Sequence, residues 1–449
     1  MVSRKHSWVS LAVVPLVALA VATAAAAPVE FSEPVAVSPA DRKAEAVEVA
    51  LDADGRLHMV WVDKGGADNG AHQGHHGAGH DRHHARDDLF YTRSAPDVLR
   101  FDAPVQVNRE PGEVWGFSVS RPRVQVAPSG SVHIMYPANA AQENGGTALV
   151  ARYARSDDGA RFEPPRTLNT PAEEDRSEIV HGGFSAAHVF GTLGVAPDGR
   201  VHAWWIDTRG MAEDGSSAAI WSAISNDDGH SFGDDFEVMD TGVCPCCQTT
   251  AAFTHGGDTV LLGLRGVTEE NYRDNLVRAS TDGGHTWGEP VRLNAERWQI
   301  NGCPLKPTAV AADGDRIYTA WYSAVEQPPG AYFTHSTDGG ETFSAPRALH
   351  PEATLSDAPV VATGGGVTWV VWHARTDAGR RLFLRASTDG GDTLSDLVEV
   401  PGPGTGQAGF PVAAATDDGR LLLGWQQDGR AWALEARAAG DHASHTHAH

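Results

Sequence analysis

The stretch Ser280-Thr281-Asp282-Gly283-Gly284-His285-Thr286-Trp287 recurs along the chain and constrains its fold more than any other feature. Residues 336–343 read STDGGETF, and residues 387–394 read STDGGDTL with Leu394 in the aromatic place. Residues 225–232 read SNDDGHSF, residues 156–162 read SDDGARF (one residue short), and residues 94–101 keep only the two ends. Each copy lies between two strand-like runs and predicts a tight turn from one β-strand to the next. The Asp carboxylate accepts hydrogen bonds from the turn backbone, the glycines supply positive φ, and the closing aromatic packs under the turn. Repeats spaced by roughly 50 to 70 residues signify an array of like units.

The box resembles the Asp-box, or bacterial neuraminidase repeat, of the sialidase-like β-propellers. The resemblance implies four-stranded blades, with the boxes as fold staples lying away from the site of chemistry. The segments after the boxes align as edge strands: FDAPVQVN (101–108), FEPPRTLN (162–169), FGDDFEVM (232–239), WGEPVRLN (287–294), FSAPRALH (343–350) and LSDLVEVP (394–401). The pattern occurs once more as FSEPVAVS at 31–38, whereas 409–438 supplies three strands and then no box. We therefore expect 31–38 to pair with 430–437 as the fourth strand of the last blade. The expected fold is all-β, a seven-bladed β-propeller whose N-terminal strand closes the ring and removes exposed sheet edges. Sialidases have six blades, so the resemblance in repeat does not extend to the ring. One propeller domain over 28–438 accounts for the repeats, and Trp recurs at one place in most of them.

Residues 1–27 read as an export signal. Arg4 and Lys5 precede an apolar run over 9–22, and the small residues Ala24-Ala25-Ala26 suit signal peptidase. An uncleaved membrane anchor is the alternative, for which the Ala-rich run is weakly hydrophobic. The expected location is periplasmic or secreted, with no membrane insertion after signal removal. A formal net charge of −23 argues against nucleic acid and anionic membrane surfaces as partners.

Strand direction puts the inner-strand starts and the loops between second and third strands on one face, the top. Two features break the repeat there. Cys244, Cys246 and Cys247 in CPCC, and Cys303 in NGCP, open neighbouring inner strands at the mouth of the expected channel and are the only cysteines. In an oxidising compartment one reading is a disulfide such as Cys247–Cys303. The other is a thiolate site for copper, as Cu(I), or for zinc. The C-x-C-C spacing matches no zinc-finger rule, and a bond between Cys246 and Cys247 would be strained. His188, on an inner strand, is a further candidate ligand, with His181 just before it. The second feature is a loop over 65–86 carrying His72, His75, His76, His80, His83 and His84 among glycines. Such a tract binds Cu, Ni or Zn through imidazole, or is a solvated insertion. The tail 439–449 adds His442, His445, His447 and His449.

A sialidase needs three arginines for the substrate carboxylate, a Tyr nucleophile activated by Glu, and an Asp acid/base. The family carries its first arginine in a Phe/Tyr-Arg-Ile/Leu-Pro motif, for which the nearest text here is Ser120-Arg121-Pro122-Arg123. Arg121, Arg123, Arg265, Tyr272 and Arg273 are candidate ligand-binding residues on the top face, or salt-bridged lining of a polar channel. The chain thus reads as an exported propeller that binds a metal, copper favoured, or a small ligand. Sialidase-like glycoside hydrolysis and a protein-binding scaffold are the alternatives.

Overall fold

The computed structural model describes residues 29–65, 87–141, 147–170, 186–209, 211 and 215–438. The expected export signal, His181, the six histidines of the 65–86 loop and the histidine tail lie outside the described residues. No helix among the described residues is long and apolar enough to cross a membrane.

Antiparallel four-stranded sheets, the unit of a β-propeller, make up an all-β architecture. Thr250–Thr254, Thr259–Arg265, Asn275–Ser280 and Val291–Arg292 pair in that order. Thr308–Asp313, Arg316–Ser323, Gly330–Ser336 and Arg347–Ala348 repeat the arrangement, as do Ser356–Gly364, Val367–Thr376, Gly379–Ser387 and Val398–Glu399. Lys43–Leu51 pairs with Leu57–Lys64, and that with Asp88–Ala95. Two further units, beginning at Arg123–Val126 and Ala186–Val195, are joined by a short parallel contact, Ala148 opposite Ala186 and Leu149 opposite Ala187. In the last sheet Arg430–Ala438 pairs on one side with Leu421–Gln427 and on the other with Val29–Phe31 and Val35–Ala36. Second strands fill the cores: Trp61, Trp205, Trp321, Trp372 and Trp425 are all buried, with Tyr136 and Leu264 in the same place elsewhere.

The boxes form the expected turns, and their opening serine does more than the sequence reading gave it. Ser280 Oγ donates to Asp282 Oδ1 (2.8 Å) and accepts the Gly284 N–H (2.9 Å). Asp282 accepts the N–H groups of His285 and Thr286 and the Thr286 hydroxyl. The serine-to-glycine bond recurs at Ser156, Ser225, Ser336 and Ser387, between 2.8 and 3.0 Å. Trp287 closes its box by donating Nε1–H to Gly284 O at 3.0 Å.

Edge strands are shorter than the eight-residue segments of the alignment. Most are two-residue pairings, such as Val105–Gln106 and Val291–Arg292. The proline in APVQ and EPVR has no N–H for the ladder, which confines regular pairing to the residues after it. Phe236–Val243, without proline, pairs over a longer run.

Four inner strands share a bulge whose positive-φ residue is not a glycine. The register shifts between Glu45 and Glu48, Val189 and Thr192, Asp357 and Val360, and Gly409 and Val412. Within these shifts Ala46, Phe190, Ala358 and Phe410 take φ values of 54°, 51°, 49° and 53°. A bulge bends the strand and re-aims its side chains, and here it recurs where inner strands begin.

Candidate metal centre

After Phe236–Val243 the chain crosses to the next sheet through Cys244-Pro245-Cys246-Cys247. The crossing is pinned at both ends: the Cys244 N–H donates to Arg265 O (2.8 Å) and the Thr249 N–H to Phe190 O (3.0 Å). A turn over 245–247 then directs three sulfur atoms to one point. Cys244 Sγ lies 3.7 Å from Cys246 Sγ and 3.3 Å from Cys247 Sγ. All three sulfurs lie within 4.8 Å of one another. A disulfide requires about 2.05 Å, and no disulfide joins the four cysteines here. Four sulfurs at about 2.3 Å around one ion would stand about 3.8 Å apart, close to the spacing here.

The three residues are buried, at 0, 4 and 1% exposure, in a hydrophobic cluster that includes Phe190, Trp204 and Leu264. Sequence reasoning expected them at the mouth of the channel; the Val243–Gly266 bridge holds their segment against the second strand of the next sheet, and their side chains are buried there. Cys303 is exposed, on a segment tied to the site by Ile300 O, which accepts Arg273 Nε–H, and by the Lys306 N–H, which donates to Cys247 Sγ.

Two guanidinium groups flank the sulfurs. Arg273 Nη1 donates to Cys244 Sγ at 3.1 Å, and Nε donates to Ile300 O at 3.3 Å. Arg265 donates to the carbonyls of Lys306, Arg273 and Tyr322 and to Asn275 Oδ1, all neutral acceptors. They are 4% and 1% exposed. Neither makes a salt bridge to a carboxylate among the described residues, although the Arg265 charge acts on Cys247. The Lys306 backbone N–H donates to Cys247 Sγ at 3.4 Å.

This setting separates the thiols. Burial raises the Cys244 thiol, but hydrogen bonds from Cys246, Cys247 and Cys303 and the Arg273 charge outweigh it and hold Cys244 well below the ordinary thiol value. Burial and the neighbouring sulfurs push Cys246 and Cys247 up. Contact with Cys244 brings Cys303 to about 11. Soft, buried sulfur donors beside fixed positive charge can hold a thiophilic ion as a thiolate complex.

The other candidate residues divide. His188 is buried and bonds through Nδ1 to Asp207 (2.9 Å). It does not join the three-sulfur group and lines a small cavity with Arg121 and Arg123. Arg123 pairs with Glu48 and donates to Thr249 O, tying three sheets together. Arg121 is buried and reaches Pro411 O at 3.4 Å, and burial brings its guanidinium down to about 10. Arg265 and Arg273, grouped with these from the sequence, stand beside the sulfurs. Tyr272 lies under the Arg297 guanidinium, 4.0 Å from its ring centre, and bridges to Gln299. Glu269 and Glu270, in the same loop, are exposed.

This architecture defines a sialidase-like β-propeller. The profile of the BNR repeat-like domain matches residues 199–440, and the chain belongs to that family. No curated protein matches the sequence. Among solved structures, a PL25 ulvan lyase is similar with 11% identity and a TM-score of 0.55, over 87% of this chain and 93% of that one. Polysaccharide lyase Uly1 has 10% identity and a TM-score of 0.54, over 91% and 100%. A Hadza microbial sialidase has 13% identity and a TM-score of 0.46, over 92% and 96%. At identities this low, the two lyase matches show a shared fold alone.

Proposed function

We propose that this protein is an exported seven-bladed propeller that binds a soft metal ion, copper favoured over zinc, through its cysteine cluster. The observation that carries the metal reading is the pair of buried guanidiniums, Arg265 and Arg273, which have no carboxylate partner among the described residues, beside three convergent sulfurs. An uncompensated buried charge costs several kcal/mol, so the site is built for net negative charge. Neutral thiols or disulfides supply none. Three thiolates with Cu(I), or four with Zn(II), each supply two units of negative charge.

The blade count is supported by the neighbour order of the inner strands. Lys43–Leu51, Arg123–Val126, Ala186–Val195, Thr250–Thr254, Thr308–Asp313, Ser356–Gly364 and Ala408–Ala415 follow one another, and the last packs against the first. The pairing of Val29–Phe31 and Val35–Ala36 with Arg430–Ala438 fits closure of the last blade by the N-terminal strand.

Metal analysis with thiol titration, on protein exported natively, tests this function. The expected result is about one copper or zinc per chain, with the buried thiols of Cys244, Cys246 and Cys247 reacting only after chelation. Two stable disulfides in protein that stays metal-free after copper loading would overturn it. Glycoside or polysaccharide cleavage, named for the sialidase and lyase neighbours, is the second reading. It needs a base or nucleophile facing the Arg121–Arg123 cavity, and Tyr272 is engaged elsewhere. Turnover of a fluorogenic sialoside, lost in Tyr272→Phe, would establish it.

A further inference from the structure

We infer that the site is built as three plus one: Cys244, Cys246 and Cys247 hold Cu(I), and Cys303 is the ligand through which the ion enters and leaves. This rests on the metal reading above and adds the ion's oxidation state, its coordination and a route.

Three observations separate Cys303 from the other cysteines. The first is burial, since three sulfurs are sealed in an apolar cluster and Cys303 is exposed. The second is grouping, because three sulfurs lie within 4.8 Å of one another without Cys303. The third is attachment. The Ile300 carbonyl accepts Arg273 Nε–H and the Ile300 N–H donates to Asn271 O, while the Lys306 N–H donates to Cys247 Sγ. Both ends of 300–306 are therefore held at the site, and Asn301, Gly302 and Cys303 bridge between them at the surface.

Charge balance then selects the ion. Three thiolates with Cu(I) carry two negative charges, matching Arg265 and Arg273 without a contribution from Cys303. Three thiolates with Zn(II) would carry only one and would leave the tetrahedron that zinc prefers unfilled. Soft sulfur ligands favour Cu(I) over harder ions. In exchange, an incoming Cu(I) first bonds the Cys303 thiolate, then Cys244 and Cys246, and Cys303 lets go as Cys247 completes the set. Each thiol that binds releases a proton and each that leaves takes one back. Copper stays Cu(I), and no electron moves. Release is the reverse, ending on a soft donor in solution.

The test compares the full chain with Cys303→Ser and Cys246→Ser, each loaded anaerobically with Cu(I). Bathocuproine disulfonate serves as the acceptor. Cys303→Ser should keep one Cu(I) per chain, with affinity within about threefold of the parent, but transfer it to the chelator at least about tenfold more slowly. Copper X-ray absorption should report three sulfur neighbours in both proteins, and Cys246→Ser should lose the ion. The inference is overturned if Cys303→Ser loses stoichiometric copper, if it transfers copper as fast as the parent, or if the parent shows four sulfurs. If the parent binds no metal at all, the underlying function fails instead, and the two failures are thereby distinguished.

Discussion

Replacing Arg273 with methionine removes one positive charge while nearly conserving length and volume. Arg273 Nη1 lies 3.1 Å from Cys244 Sγ, in a pocket where the side chain is 4% exposed. At a charge separation of about 4 Å and an effective dielectric near 20, the gross Coulomb attraction is about 4 kcal/mol. Part of that is lost already to desolvation of the guanidinium, and groups that support a metal ligand typically contribute 10- to 100-fold in affinity. The expected loss on Arg273→Met is therefore about 1.4 to 2.7 kcal/mol of metal-binding free energy. Metal-free protein should respond differently. Without Arg273 the Cys244 thiol can take up a proton, no new unpaired charge is created, and stability should change by less than about 1 kcal/mol. Competition titration against a Cu(I) chelator measures the first quantity, and thermal unfolding with and without metal measures the second. Equal destabilisation of the loaded and metal-free forms would make Arg273 a structural clamp and refute the charge-balance argument. So would an affinity change below about threefold.

Three further outcomes follow from geometry elsewhere. Asp207 is fully buried and accepts from His188, from Trp205 Nε1 (2.8 Å) and from the Arg209 backbone and guanidinium, so Asp207→Asn should cost about 3 to 5 kcal/mol in denaturant unfolding. Burial raises this carboxyl, but the bonds and charges of His188 and Arg209 outweigh it and hold it below the ordinary carboxylate value. Its contribution is thus present above roughly pH 4 and is lost as pH falls further; a wild-type acid limb no steeper than the variant's would refute this. Gly229 has φ +77°, and an added Cβ would fall 1.9 Å from the Tyr153 hydroxyl and 2.9 Å from His133 Nδ1. Gly229→Ala should therefore destabilise by more than the roughly 1 to 2 kcal/mol of left-handed strain alone, and a smaller change in midpoint would show that the box can open. Deleting residues 29–36 exposes the edge of Arg430–Ala438, so light scattering should show concentration-dependent association; an unchanged monomer of unchanged Tm would refute the role of this strand in closing the sheet.

The fold was legible wherever the determinant was local. A serine, an aspartate and two glycines within eight residues make a box whose serine and aspartate side-chain bonds stay within it, as at 280–287. Strand order followed because each box marks the same joint. What escaped was set by partners distant in sequence. Ala46, Phe190, Ala358 and Phe410 take positive φ without being glycine, and three of them bond to distant residues: the Ala46 N–H to Gln426 Oε1, the Phe410 N–H to His373 Nδ1, and Phe190 O to the Thr249 N–H. Several edge strands were overdrawn for a local reason: a proline such as Pro104 or Pro290 lacks the N–H that a longer ladder needs.

The candidate site divides along the same line. Four cysteines at two inner-strand starts could be read from spacing once the repeats were aligned, and three of them do converge. Their charge environment could not, because Arg265 and Arg273 look in sequence like any arginines of a polar channel. One signal was present. Arg265 ends the second strand of the sheet whose inner strand follows the CPCC crossing, and an antiparallel second strand ends where its inner strand begins. The Cys244 N–H to Arg265 O bond is the direct result of that topology. From Arg265 the chain turns and returns within ten residues to Asn275, which carries Arg273 back past Cys244. A sheet that meets its neighbour through a cysteine crossing thus delivers its own arginines to the sulfurs. The same short connection that buries the thiols supplies the positive charge that keeps one of them ionised.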